Sequence, residues 1–131
     1  MSQLSEGSIE QEIKNKGLDA PRLTPEHIDA VILTEQFYVF PGTSLTVCAL
    51  TLKNGYHVVG ESAPVSPENF DEAIGRKIAR DHARNKIWAL EGYLLKTTLN
   101  FISKISELTP EQRKSFEDSQ EALAALGNAT A

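Results

Sequence analysis

Arg76, Arg80 and Arg84 recur at every fourth position, with Lys77 and Lys86 among them, so five of the thirteen basic residues fall within eleven positions. On a helix that spacing makes one slowly turning ridge of guanidinium groups. Planar guanidinium forks bind phosphate bidentately, and three of them converging would suit a phosphate-bearing ligand. Two other roles fit the same pattern. One is a solvated face in which Glu72 pairs with Arg76 and Asp81 with a neighbouring cation; the other is a seam meeting acidic residues of a second subunit. Only Glu72 and Asp81 lie within helical reach of most of the ridge, so the sequence leaves a cationic excess there.

Other candidates are sparser. The stretch "GESAPVSPENF" sets a small-residue loop before a helix start, which suits either a plain strand-to-helix connection or an anion site. It carries neither G-x-G-x-x-G nor G-x-x-x-x-G-K-[ST]. Tyr56 follows a turn glycine and either caps a sheet or stacks on a base. Trp88 falls in an apolar helical stripe and reads as core. His27, His57 and His82 lie in three different elements, and Cys48 reads as a small hydrophobe within a strand. No nucleophile elbow or zinc-protease signature occurs, and no Cys/His spacing suits a metal. The expectation is a protein that is not an enzyme and needs no metal or cofactor.

The totals set the frame for those residues. A chain of 131 residues can bury one core without disulfide or metal staples. Net charge is −5, which argues against non-specific nucleic-acid binding but leaves room for one small anion at a local patch. The polar N-terminus has no signal-peptide pattern, and no apolar run approaches the roughly 20 residues of a membrane span. With a single cysteine, the expected location is a reducing cytoplasm, with no membrane partner.

Three Ser/Thr-Pro-Glu triplets mark helix starts at Thr24, Ser66 and Thr109. The hydroxyl accepts an orphan N–H, and proline at the first helical position loses no hydrogen bond. Gln112 adds a capping box to Thr109. The spacing predicts an N-terminal arm or weak helix over 1–23, a short helix over 24–30, a long helix over 67–103 and a C-terminal helix over 109–127. Between the first two helices, strands are expected at 31–40, 44–53 and 56–62, with a two-residue turn at Asn54-Gly55. That turn sets Leu50 opposite Val59 and gathers Leu50, Leu52 and Val59 on one face. The long helix is expected to bury Phe70, Ile74, Ile78, Trp88, Leu95 and Leu99, and its second half is apolar on another side as well. The fold class is therefore α+β: a three-stranded antiparallel meander packed against a long central helix, within a single domain. The second apolar side points to a homo-oligomer.

"NGYHVVGESAPVSPENF" and the following "DEAIGRKIARDHARNKIWALEGYLL" resemble a family of small tailed-phage proteins. The features that carry the resemblance are Asn54-Gly55 with its aromatic neighbour, Gly60-Glu61-Ser62, the Pro67/Asn69/Phe70 helix start, "EAIGRKIA" and "KIWALEGYLL". That family is similar to the type-one Thoeris anti-defence proteins. Such proteins are non-enzymatic sponges for the cyclic ADP-ribose signal of bacterial immune enzymes, and some also hold cyclic oligonucleotides of the CBASS defence. The resemblance implies a cytoplasmic phage protein acting in an infected bacterium. Arg76, Arg80 and Arg84 would hold phosphates, Tyr56 or Phe70 would stack on the base, and Asn69 would read the base edge or cap the helix. The alternative is a helical interaction module that binds a host protein, or a structural oligomer.

Overall fold

Local hydrogen bonds at Thr24, Asp71 and Thr109 start three of the four α-helices. The computed structural model describes residues 3–130, with helices α1 (Gln3–Asn15), α2 (Pro25–Ala30), α3 (Glu72–Ser106) and α4 (Pro110–Thr130). Strands β1 (Ile32–Val39), β2 (Thr46–Leu52) and β3 (His57–Ser62) form one antiparallel sheet in the order β1-β2-β3. The fold is α+β, as the sequence predicts. Thr24 Oγ1 accepts the His27 N–H at 3.2 Å. At Thr109 the capping box closes both ways, through Gln112 N to Thr109 Oγ1 and Thr109 N to Gln112 Oε1.

Ser66 behaves differently. It leads only a single 3₁₀ turn, Pro67–Asn69, and its side chain makes no capping bond. Phe70 then takes an extended conformation (ψ 125°), and Asp71 Oδ1 accepts the Ile74 N–H to start α3. The long helix thus begins at Glu72 rather than Pro67, because Asp71 outcompetes Ser66 for the orphan N–H groups.

The hairpin between β2 and β3 also departs from expectation. Leu52 N bonds to Tyr56 O and Gly55 N to Leu52 O, so the loop has three residues, with Gly55 in the left-handed region at φ 89°. A three-residue loop ending on such a glycine shifts the pairing by one. Leu50 therefore faces Val58, and Val59 turns to the outside of the sheet.

The buried side of α3 is not the large apolar stripe. Gly75, Ala79, Ala83 and Ile87, each four residues apart, meet the sheet, while Ile74 and Ile78 are about half exposed. Small residues bring the helix backbone very close to β3. A Cβ on Gly60 would lie 2.2 Å from both Ala79 O and Ala83 N, so only glycine fits there. Ile28, Cys48, Leu50, Leu52 and Val58 complete the core around Ala79, Ala83 and Ile87. Beyond the close contact, α3 side chains reach the backbone of β3: Lys86 Nζ donates to Val59 O, and Glu61 N donates to His82 Nδ1. Those two bonds occupy backbone groups that an unprotected sheet edge would offer to another chain.

The chain gathers into two compact units, Met1–Leu95 and Lys96–Ala131. The second holds the end of α3 and α4, with Phe101 and Phe116 in a tilted aromatic pair at 5.1 Å.

Candidate ligand-binding site

The helix break at Phe70 shapes a recess in the first unit. The end of β3, the loop after it and the first turns of α3 enclose a recess of about 370 Å³. Phe70, Ile74 and Ile78 supply its apolar wall, and Asn69, Glu61 and Asp71 supply its polar groups. Such a mixture suits a nucleoside. An aromatic ring beside aliphatic carbons takes the face of a base, an amide reads its edge, and carboxylates accept hydrogen bonds from ribose hydroxyls. No cationic side chain lines the recess. Lys77, three residues after Ile74, is exposed and lies on the adjoining face of α3, within helical reach of the recess wall.

Of the six residues singled out in the sequence, the structure brings Asn69 and Phe70 together in this recess. Tyr56 is exposed at the hairpin tip, at the opposite end of β3, roughly 17 Å of strand from Glu61. The three arginines have other partners. Arg76 Nη2 donates to Glu72 at 2.9 Å, and its guanidinium lies 5.4 Å from the centre of the Phe37 ring. Arg80 Nε donates to Glu35 of β1 at 2.6 Å. Arg84 is fully buried: its Nη1 donates to both carboxylate oxygens of Glu6 at 2.7 and 2.8 Å, and its Nε to Asp29 at 2.7 Å.

The ridge therefore carries no cationic excess. Glu72 of α3 balances Arg76, while the acids that balance Arg80 and Arg84 come from β1, α1 and α2, where a count confined to the helix missed them. Burial alone would push the Arg84 pKa down, but the hydrogen bonds it donates to Asp29 and Glu6 more than offset it and raise it above the ordinary value. The guanidinium stays charged.

Trp88 packs partly buried against the core, and its Nε1 donates to Glu6 Oε1 at 2.9 Å. His27 Nε2 lies 3.1 Å from Glu91 Oε2, and His57 Nδ1 lies 3.1 Å from Thr51 Oγ1. Cys48 is buried in β2, and desolvation there, with Glu35 nearby, pushes its thiol pKa up. Among the described residues, no group of three or more His, Cys, Asp or Glu could hold a metal ion, and no helix is long and apolar enough to cross a membrane. Sequence reasoning passed over Asp71 and the half-exposed Ile74 and Ile78. Asp71, three residues before Ile74, was a readable helix cap, but the proline of Ser66-Pro67 drew the assignment upstream.

Comparison with known proteins adds a family. The family described as "Phage protein (N4 Gp49/phage Sf6 gene 66)" matches residues 23–99, which takes in the sheet, the recess and most of α3. Searches of curated proteins and of solved structures return no match.

Proposed function

The chain belongs to that phage protein family, and on this premise we propose a non-enzymatic binding protein that takes up a cyclic nucleotide immune signal and holds it uncleaved. A cyclic ADP-ribose isomer is the favoured ligand, with cyclic oligonucleotides of the same chemistry as relatives of it. One observation carries the reading: Phe70 and Asn69 share a recess that is also lined by the apolar Ile74 and Ile78 and the carboxylates Glu61 and Asp71. In this reading Phe70 stacks on the base, Asn69 bonds to its edge, and Glu61 or Asp71 accepts from ribose hydroxyls. The phosphates are turned toward Lys77, and Arg76 is the ridge arginine that keeps enough exposure to assist. The likeness of the sequence to type-one Thoeris anti-defence proteins supports the choice of ligand.

Thermal melting with and without the product of a bacterial TIR enzyme tests the proposal. A rise in melting temperature, with co-elution of the nucleotide on gel filtration, is expected; an unchanged melt would remove the support for it. A second reading draws on Leu90 and Tyr93, which stand exposed three residues apart on α3. Such a pair would suit contact with a host protein or with another copy of the chain in a homo-oligomer.

A further inference from the structure

Helix α1 is held to the molecule by charge. Among its described residues the buried ones are Glu6 and Glu10, one turn apart, whereas Ile9 between them is exposed. Glu10 forms a two-pronged pair with Arg22, at 2.6 and 2.8 Å, in the segment that follows α1. Glu6 reaches further, into a socket where its carboxylate receives two bonds from Arg84 Nη1 and one from Trp88 Nε1. A planar two-oxygen anion held by a guanidinium and an indole N–H is the arrangement a receptor for a carboxylate or phosphate would use.

The socket lies inside the matched family region and its stopper outside it. Pro25, Asp29, Arg84 and Trp88 all lie within residues 23–99, the part of the chain that defines the family, whereas α1 precedes it. Without α1, Arg84 would keep only Asp29 and the Pro25 carbonyl, at 3.4 Å, as partners. An opening of about 310 Å³ is bordered by Glu6, Glu10, Pro25, Asp29 and Arg84, with the guanidinium itself covered while Glu6 is seated. The charges also fit exchange rather than addition. Two cations, Arg84 and Arg22, face three carboxylates, Glu6, Glu10 and Asp29, so the cluster is negative while Glu6 is seated and neutral once it leaves; an anion can take the place of Glu6 but not join it. Lys14 and Glu26, which border the same opening, offset each other.

We propose that Arg84 and Trp88 form a second oxyanion-binding site, and that α1 closes it by inserting Glu6 as a tethered internal competitor. The site is independent of the recess at Phe70. Because the segment 16–24 tethers α1 and holds its group at an effective concentration on the order of millimolar, a free anion displaces Glu6 only when it binds better than a single carboxylate. A phosphate oxyanion, with more oxygens and more charge, meets that condition.

Trp88 is the chain's one tryptophan, so its fluorescence reports directly on the socket. The test titrates the full-length protein with inorganic pyrophosphate at constant ionic strength, and with citrate in a parallel arm. The Glu6→Gln chain should show a saturable Trp88 response at a pyrophosphate concentration at least tenfold lower than the wild type, and Glu6→Gln with Arg84→Met should show none. Citrate matching pyrophosphate would assign the site to oxyanions in general; a response to pyrophosphate alone would assign it to phosphate. Equal titrations of wild type and Glu6→Gln, or silence in both with native circular dichroism, would overturn the proposal. Should Glu6→Gln fail to fold, the wild type decides alone. Pyrophosphate must then speed tryptic cleavage at Lys16 or Arg22 relative to chloride at matched ionic strength, and equal rates would overturn the site.

Discussion

Arg84 and Glu6 stand 78 positions apart in the chain, yet they meet through two bonds of 2.7 and 2.8 Å with both side chains shut off from water. This pair converts an apparent phosphate clamp into an internal fastening. It also explains how an acidic protein carries a basic helix: the acids that balance Arg80 and Arg84 are distributed over three other elements.

Removing one partner of a buried pair strands the other charge in a medium that cannot solvate it. Arg84→Ala is expected to cost about 3–5 kcal/mol, a large share of the roughly 5–15 kcal/mol that holds a domain together. Arg76→Ala, whose pair with Glu72 is about half exposed on both sides, should cost less than about 1 kcal/mol. Urea unfolding of the two variants separates the values; similar midpoints would show that Arg84 is not fastened as described.

Gly60 tests the close approach of α3 to the sheet. A Cβ there would run into the backbone of Ala79 and Ala83, so Gly60→Ala must push the helix outward. The expected loss is about 3 kcal/mol, at the upper end of ordinary overpacking because backbone cannot move aside like a side chain. The same unfolding measurement reads it.

The Glu10–Arg22 pair gives the fold an acid limb. The hydrogen bond from Arg22 holds the Glu10 carboxyl below the ordinary glutamate range, with Lys14 assisting through its charge. A carboxyl depressed in the folded state binds its proton more readily when unfolded. Its contribution is therefore full at neutral pH, begins to fall as pH drops through the ordinary glutamate value, and is gone below the depressed one. Melting temperature against pH should fall more steeply on the acid side for the wild type than for Glu10→Gln.

Cys48 reports on opening of the core. It is fully buried, and burial raises its thiol pKa, so little reactive thiolate exists at neutral pH. A disulfide reagent should label it slowly in buffer and at once in denaturant. Rapid labelling of native protein would contradict the packing of α3 on β2.

Much of this architecture could be read from the sequence because its signals are local. Thr24 and Thr109 cap helices through neighbours three positions away, and the turn at Asn54-Gly55 names itself. The register of that turn was misread by one, since Asn-Gly serves two-residue and three-residue loops alike and the choice rests on where Gly55 sits. The buried face of α3 was misread for a different reason. Gly75, Ala79 and Ala83 carry little hydrophobicity, so the pattern favours Ile74 and Ile78, but close approach to Gly60 rewards small side chains. Glu72, the partner of Arg76 one turn away, was legible, but the partners of Arg80 and Arg84 were not. Glu35, Asp29 and Glu6 lie 45, 55 and 78 positions away, and only the folded chain brings them near. Asn69 and Phe70 were found because their place just ahead of α3 is a local property.

The recess at Phe70 is the part of the account on which the proposed function stands. The most direct measurement incubates the protein with a panel of TIR-enzyme products and cyclic oligonucleotides, removes free nucleotide, heats the protein and identifies the released molecule by mass spectrometry. A cyclic ADP-ribose isomer recovered intact from the wild type is predicted. Phe70→Ala should bind it about 10- to 100-fold more weakly, as expected for loss of about 1–3 kcal/mol of base stacking. Recovery of no nucleotide from folded wild-type protein, or equal recovery from Phe70→Ala, would contradict the account.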